Sequence, residues 1–94
     1  NDMKVEDKLK KYFSMTEKAL KKIKISKKLN KKDKKIAESF IRISKCYYND
    51  AKFFEKKKDE LNAFAAVCYA HAFLDAGCIA GYFDVKDNKL FMVD

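Results

Sequence analysis

Ninety-four residues carry 22 Lys and Arg against 14 Asp and Glu, a formal net charge of +8, with no proline and two glycines. That length holds one domain, residues 1–94, and excludes two; the shortage of glycine and proline excludes turn-rich barrels and sandwiches. Leu, Ile, Val and Phe number 24, above the roughly one-fifth below which a highly charged chain stays disordered.

The chain therefore folds, and its pattern is all-α: an up-and-down three-helix bundle with an extended C-terminal tail or short hairpin. Val5, Leu9, Tyr12, Phe13, Leu20 and Ile23, with Thr16 on the same stripe, recur at helical spacing and predict a first helix over 3–25, with Asp2 as N-cap. Ser26 to Lys32 forms the first loop, and Asn30 caps a second helix over 31–57, with Asp33 in its first turn. Its stripe is Ile36, Phe40, Ile43, Tyr47, Ala51 and Phe54, broadened by Ile41, Tyr48 and Phe53.

A second turn follows at Lys56 to Asp59. No glycine stands at the helix end, so a left-handed conformation at Lys57 or Lys58, if the turn uses one, costs about 1–2 kcal/mol. Asp59 caps a third helix over 60–81. From Leu61 to Gly81 its clearly polar side chains are Asn62, His71 and Asp75, and seven alanines keep it slim. This helix is expected at the centre, shielded from water nearly all round. A membrane span is the rival reading, rejected because His71 and Asp75 sit near mid-helix, where aspartate alone costs ~2.5–3.5 kcal/mol. The tail, 82–94, is expected as a strap over the bundle through Val85, Leu90, Phe91 and Val93.

Charge is uneven: residues 1–35 hold fourteen lysines against five acidic residues, and Arg42 is the only arginine of the chain. The candidate basic surface is Lys21, Lys22, Lys27, Lys28, Lys31 and Lys32. Bidentate phosphate or base recognition favours arginine, so nucleic acid is an alternative partner and not the favoured one. Cys46, Cys68 and Cys78 are odd in number and form no CxxC pair, which points to a reducing, cytoplasmic setting. No secretory-signal pattern opens the residues given.

Cys68, His71, Asp75 and Cys78 fall at i, i+3, i+7 and i+10 on one face of the third helix. Positions 68 and 78 lie about 15 Å apart along the axis, too far to share one zinc. A thiol deep in an apolar helix also lacks the N-terminal or turn setting that activates catalytic cysteines. His71 and Asp75 are read instead as a buried hydrogen-bonded pair, joined by Tyr47 or Tyr48. The aromatic side chains Tyr47, Tyr48, Phe53, Phe54, Phe64, Tyr69 and Phe73 follow helical periodicity and are read as core, since base-stacking platforms are typically sheet-borne. No catalytic residue, metal ligand or cofactor site is assigned.

The run Tyr47-Tyr48-Asn49-Asp50-Ala51-Lys52-Phe53-Phe54, then Ala63-Phe64-Ala65-Ala66, then Tyr69-Ala70-His71-Ala72-Phe73-Leu74-Asp75-Ala76-Gly77 resembles an archaeal family of small three-helix proteins, domain of unknown function 357. The resemblance covers roughly residues 30–92 and departs at Lys58, where a glycine is expected. It implies an archaeal cytosolic three-helix bundle and carries no assigned activity. Ala51, Phe54, Ala63, Val67 and Ala70 also sit at the spacing of a tetratricopeptide hairpin, but a single unit carries only a packing analogy.

The expected function is that of a non-catalytic protein–protein interaction or oligomerisation module, its partner a protein or a second copy, with no cofactor and no membrane. Its candidate surface is Phe73, Tyr82, Phe83, Leu90 and Phe91, with the third helix. The competing readings are a nucleic-acid or ribosome-associated protein using the lysine-rich third, and a cysteine-histidine-aspartate metal or enzymatic site.

Overall fold

Three helices, Val5–Lys22 (α1), Lys31–Lys56 (α2) and Glu60–Ile79 (α3), account for nearly all regular structure in the computed structural model, which describes residues 4–87 and 89–91. The chain is an all-α three-helix bundle. Asp2 and Val93 lie outside the described residues; the N-cap of α1 is Lys4, not the expected Asp2, and it makes no side-chain cap bond.

Helix α1 is shorter than its apolar spacing predicts. At Ile23 the backbone turns extended, and Ile25 leaves the helix to form a single antiparallel bridge with Phe83. Ser26 N–H donates to the Tyr82 carbonyl at 2.9 Å, and Asp84 N–H to the Lys24 carbonyl at 2.7 Å. The first loop thus holds down the start of the tail, which runs on as a strap. Val5, at the other end of the predicted stripe, is exposed.

The caps follow local chemistry. Asn30 accepts from Asp33 N–H at 2.8 Å, and Asp59 accepts from Asn62 N–H at 3.2 Å, each satisfying a free donor of a first helical turn. Helix α2 ends with Lys58 N–H on the Glu55 carbonyl and Asp59 N–H on the Phe54 carbonyl, a Schellman motif that requires the left-handed Lys58, φ 60°. Helix α3 ends the same way through Gly81, φ 78°, where glycine takes the conformation freely.

Packing is centred on α3, which lies mainly against α2 and also along α1, while α1 and α2 scarcely touch. The innermost line of α2 is Ala37, Ser44 and Ala51, spaced by seven, rather than the large residues of the predicted stripe. Ile36, Phe40, Ile43, Tyr47 and Phe54 flank that line half-buried. Small residues let two backbones approach, and Ala63, Ala66 and Ala70 answer from α3. The bundle is only 17 Å in its thinnest dimension, about one and a half helix diameters. A central helix in so thin a layer is open on one side.

Candidate functional site

Helix α3 presents two very different faces. Ala63, Ala66, Val67, Ala70, His71, Leu74 and Gly77 are buried. Over the opposite arc Leu61, Asn62, Ala65, Tyr69, Ala72, Ala76, Ile79 and Ala80 are exposed, with Leu61 at 79%, Tyr69 at 59% and Ile79 at 71%. At 100° per residue these positions fill somewhat over a quarter of the circumference, with no charged side chain in the arc. The expected nearly complete shielding of α3 is therefore wrong for the single chain. Both faces are equally apolar, so composition alone cannot tell the buried one from the open one.

The strap covers a different part of α3. Phe83 and Phe91 are 7% and 4% exposed and belong to the chain's own core. Phe83 lies against Gly77, where a Cβ would sit 1.9 Å from its ring; only glycine leaves room for that aromatic. Phe91 packs with Ala19 and Leu74, and Leu90 lies half-buried beside them. Phe73 and Tyr82 both meet Phe40 edge-on, at 5.6 and 5.7 Å. Of the five surface residues the sequence nominates, Phe83 and Phe91 are spent internally and cannot face a partner. The truly open residues, Leu61, Tyr69 and Ile79, belong to the third helix, which the sequence nominates as a whole without distinguishing its open side.

The polar cluster forms around His71 but with different members. His71 Nε2–H donates to the Leu90 carbonyl at 2.6 Å. A carbonyl oxygen can only accept, so in the neutral ring Nδ1 is the acceptor and takes the Thr16 hydroxyl at 3.0 Å. Asp75 Oδ1 stands 3.8 Å from Nε2, near the ring but beyond hydrogen-bond length, so the expected hydrogen bond within the pair is not made; Nε2–H serves Leu90 instead. The tyrosines do not join it. Tyr48 OH donates to Glu17 Oε2 at 3.0 Å across the α1–α2 seam; burial, and then that carboxylate, push its phenol up to about 12. Tyr47 lies over the Tyr69 and Phe73 rings at 5.4 and 6.0 Å.

Ser44 is the second buried polar group the sequence did not single out, its hydroxyl donating to the Ala70 carbonyl at 2.7 Å. The seven-residue repeat of small residues on α2 was the signal that could have found it. The buried polar side chains among the described residues are all satisfied, so this cluster fixes register and pins the strap.

Beside it lies an open groove of about 320 Å³ lined by Tyr12, Met15, Cys68, His71, Asp75 and Leu90, among others. Both His71 nitrogens are committed to Thr16 and Leu90, leaving neither ring atom to serve a thiol. Burial raises the Cys68 thiol above its ordinary range, and burial followed by Asp75 pushes Cys78 up to about 11. Those shifts suppress thiolate rather than activate it. Among the described residues no three histidine, cysteine or acidic side chains converge as a metal set.

All six lysines of the candidate basic surface are exposed. They gather where α1 ends, the first loop turns and α2 begins. Lys21 pairs with Glu17 at 3.5 Å and Lys22 with Asp87 at 3.0 Å.

A small all-α bundle with a buried histidine clamp and one open apolar helix face is thus the class that fold and site define. The chain belongs to the family described as Protein of unknown function (DUF357), whose model matches residues 11–83. The match starts within α1, earlier than the resemblance placed it, and ends at Phe83, the residue seated on Gly77; Leu90 and Phe91 lie beyond it. Comparison with curated proteins and with solved structures gives no match.

Proposed function

We propose that the chain is a non-catalytic protein-docking module of the cytoplasm and that its partner surface is the open arc of α3. One observation carries this reading: an uncharged apolar strip running from Leu61 to Ile79, ~27 Å long. Contiguous apolar patches beyond a few hundred Å² are uncommon on monomeric soluble proteins and mark interaction sites. The Cys68–His71–Asp75 face supports a structural role, because its histidine is engaged on both nitrogens and its thiol is held protonated. Three free cysteines suit a reducing compartment. Helix α3 is long and apolar enough to cross a membrane, but His71 near its middle, Asp75 one turn further on and its packing on α1 and α2 favour a soluble bundle.

A photo-crosslinking residue at position 69, with position 53 on the outer side of α2 as control, tests the reading in the native host. Discrete protein adducts from 69 and not from 53 are expected. Adducts equal at the two sites, or none at 69, overturn it.

The gathering of exposed lysines at one end supports a second reading, association with nucleic acid. It requires affinity that falls steeply with salt; no RNA or DNA binding at ~50 mM salt disposes of it.

A further inference from the structure

We infer that the occupant of the open α3 face is a second copy of this chain, docked antiparallel about a two-fold axis between positions 70 and 71. This rests on the docking reading above and goes beyond it by naming the partner and the register.

The first argument is the self-complementarity of the strip. An isologous two-fold interface sets each residue opposite its mirror position along the axis, at the same azimuth. Leu61 and Ile79 are eighteen residues apart, five whole turns, so they share one azimuth. Asn62 and Ala80, also eighteen apart, share another. In the antiparallel pair Leu61 meets the partner's Ile79, Asn62 the partner's Ala80, and Ala65, at nearly the same azimuth, the partner's Ala76. Tyr69 stands next to the two-fold axis, so the tyrosine rings of the two copies meet there, and the alanines on either side keep the rest of the contact slim.

The second argument is charge. At the N-terminal end of α3 a groove is lined by Glu6, Glu55 and Glu60 against Lys10 and Lys58. At its C-terminal end another is lined by Lys21, Lys22, Lys24 and Lys86 against Asp84 and Asp87, with Lys27 and Lys28 exposed in the adjacent loop. That N-terminal end is mixed in charge as a whole, with Lys4, Lys8, Lys56 and Lys57 also exposed there, so antiparallel docking keeps the two lysine-rich ends apart. Parallel docking would set the two lysine ends together.

The third is area. From the exposure of Leu61, Tyr69, Ile79 and the alanines, the strip offers on the order of 500 Å² per copy, somewhat below the ~800 Å² per partner of a standard interface. An interface of this size belongs with weak, reversible association.

Sedimentation equilibrium of the purified chain and its variants across concentration tests this. Ala65→Lys and Ala76→Glu are both at exposed positions, so helicity by circular dichroism should be unchanged. Each alone should weaken the dimer about tenfold, by setting a charge in an apolar contact. They lie eleven residues apart, about 16 Å, and cannot pair within one helix. In the antiparallel dimer of the Ala65→Lys/Ala76→Glu double variant, each introduced lysine faces an introduced glutamate of the other copy. That pairing occurs at both symmetry-related places, so affinity should return to within a few-fold of the unsubstituted chain. A double variant no better than either single one overturns the register. A chain monomeric at ~1 mM overturns the dimer, and so does a monomer that sediments with anionic vesicles. If that monomer still gives adducts from position 69 with another protein, the docking reading survives without this inference; if it gives none, both fall.

Discussion

Helices α1 and α3 are neighbours of 18 and 20 residues in one bundle, yet they relate sequence to burial in opposite ways. In α1 the buried residues Leu9, Thr16 and Ala19 stand on a stripe separated by lysines, so the sequence itself says which side is wet. In α3 the buried and open faces carry the same kinds of side chain. An amphipathic pattern encodes orientation by contrast; without contrast, orientation is set by what the neighbours offer. For α3 those were the small line Ala37, Ser44 and Ala51 on α2, the edge of α1, and the strap. The face left over is the one available to a partner.

The sharpest way to break this comparison is to make one substitution on both faces of α3. Leu74→Ala removes a fully buried side chain and should cost about 2–5 kcal/mol in denaturant unfolding. Leu61→Ala, on the open face, should shift stability by no more than ~0.5 kcal/mol. Equal effects would mean that the open face is covered in the isolated chain.

His71→Phe keeps an aromatic ring at this position and strips the Thr16 hydroxyl and the Leu90 carbonyl of their partners. We expect a loss of about 1–3 kcal/mol, with faster proteolysis after Phe83. Gly77→Ala forces Phe83 from its seat and should cost about 1–3 kcal/mol, again with the strap loosened. A stable Gly77→Ala chain with protected strap would show that Phe83 does not hold it.

Lys58→Gly relieves a left-handed lysine and should raise stability by about 1 kcal/mol in thermal unfolding. The smallest effect concerns acidity. Because folding raises the Cys78 thiol from 9.0 to about 11 and the Tyr48 phenol from 10.0 to about 12, the folded chain retains protons that the unfolded chain releases. Their stabilising contribution is whole below pH 9 and declines as pH rises through these folded values. Consistently, exposed Cys46 should label first near pH ~8.5, with Cys78 about tenfold slower.

Much of the fold was legible residue by residue. Asn30 and Asp59 cap as read, and His71 and Asp75 come near each other because four residues bring side chains onto one face, though the hydrogen bond read between them is not made. What spacing could not reveal is separated along the chain. Thr16 lies 55 residues and Leu90 19 residues from the histidine they bind. The tyrosines nominated in their place were plausible donors on the adjacent helix, but Tyr48 turned to Glu17 and Tyr47 to other rings. The early end of α1 was equally hidden, since Ile25 is apolar in either conformation and only its bridge with Phe83 takes it out of the helix.

By itself, then, the amino-acid sequence determined three helices, the caps of α2 and α3, the lysine-rich end and the apolar character of α3, all consequences of local backbone chemistry and short-range periodicity. The tertiary structure alone decided which half of α3 is dry, which ring partners hold His71, and that Phe83 and Phe91 serve the chain's own core. Those outcomes depend on how closely small residues let distant segments approach, and no local pattern encodes that distance.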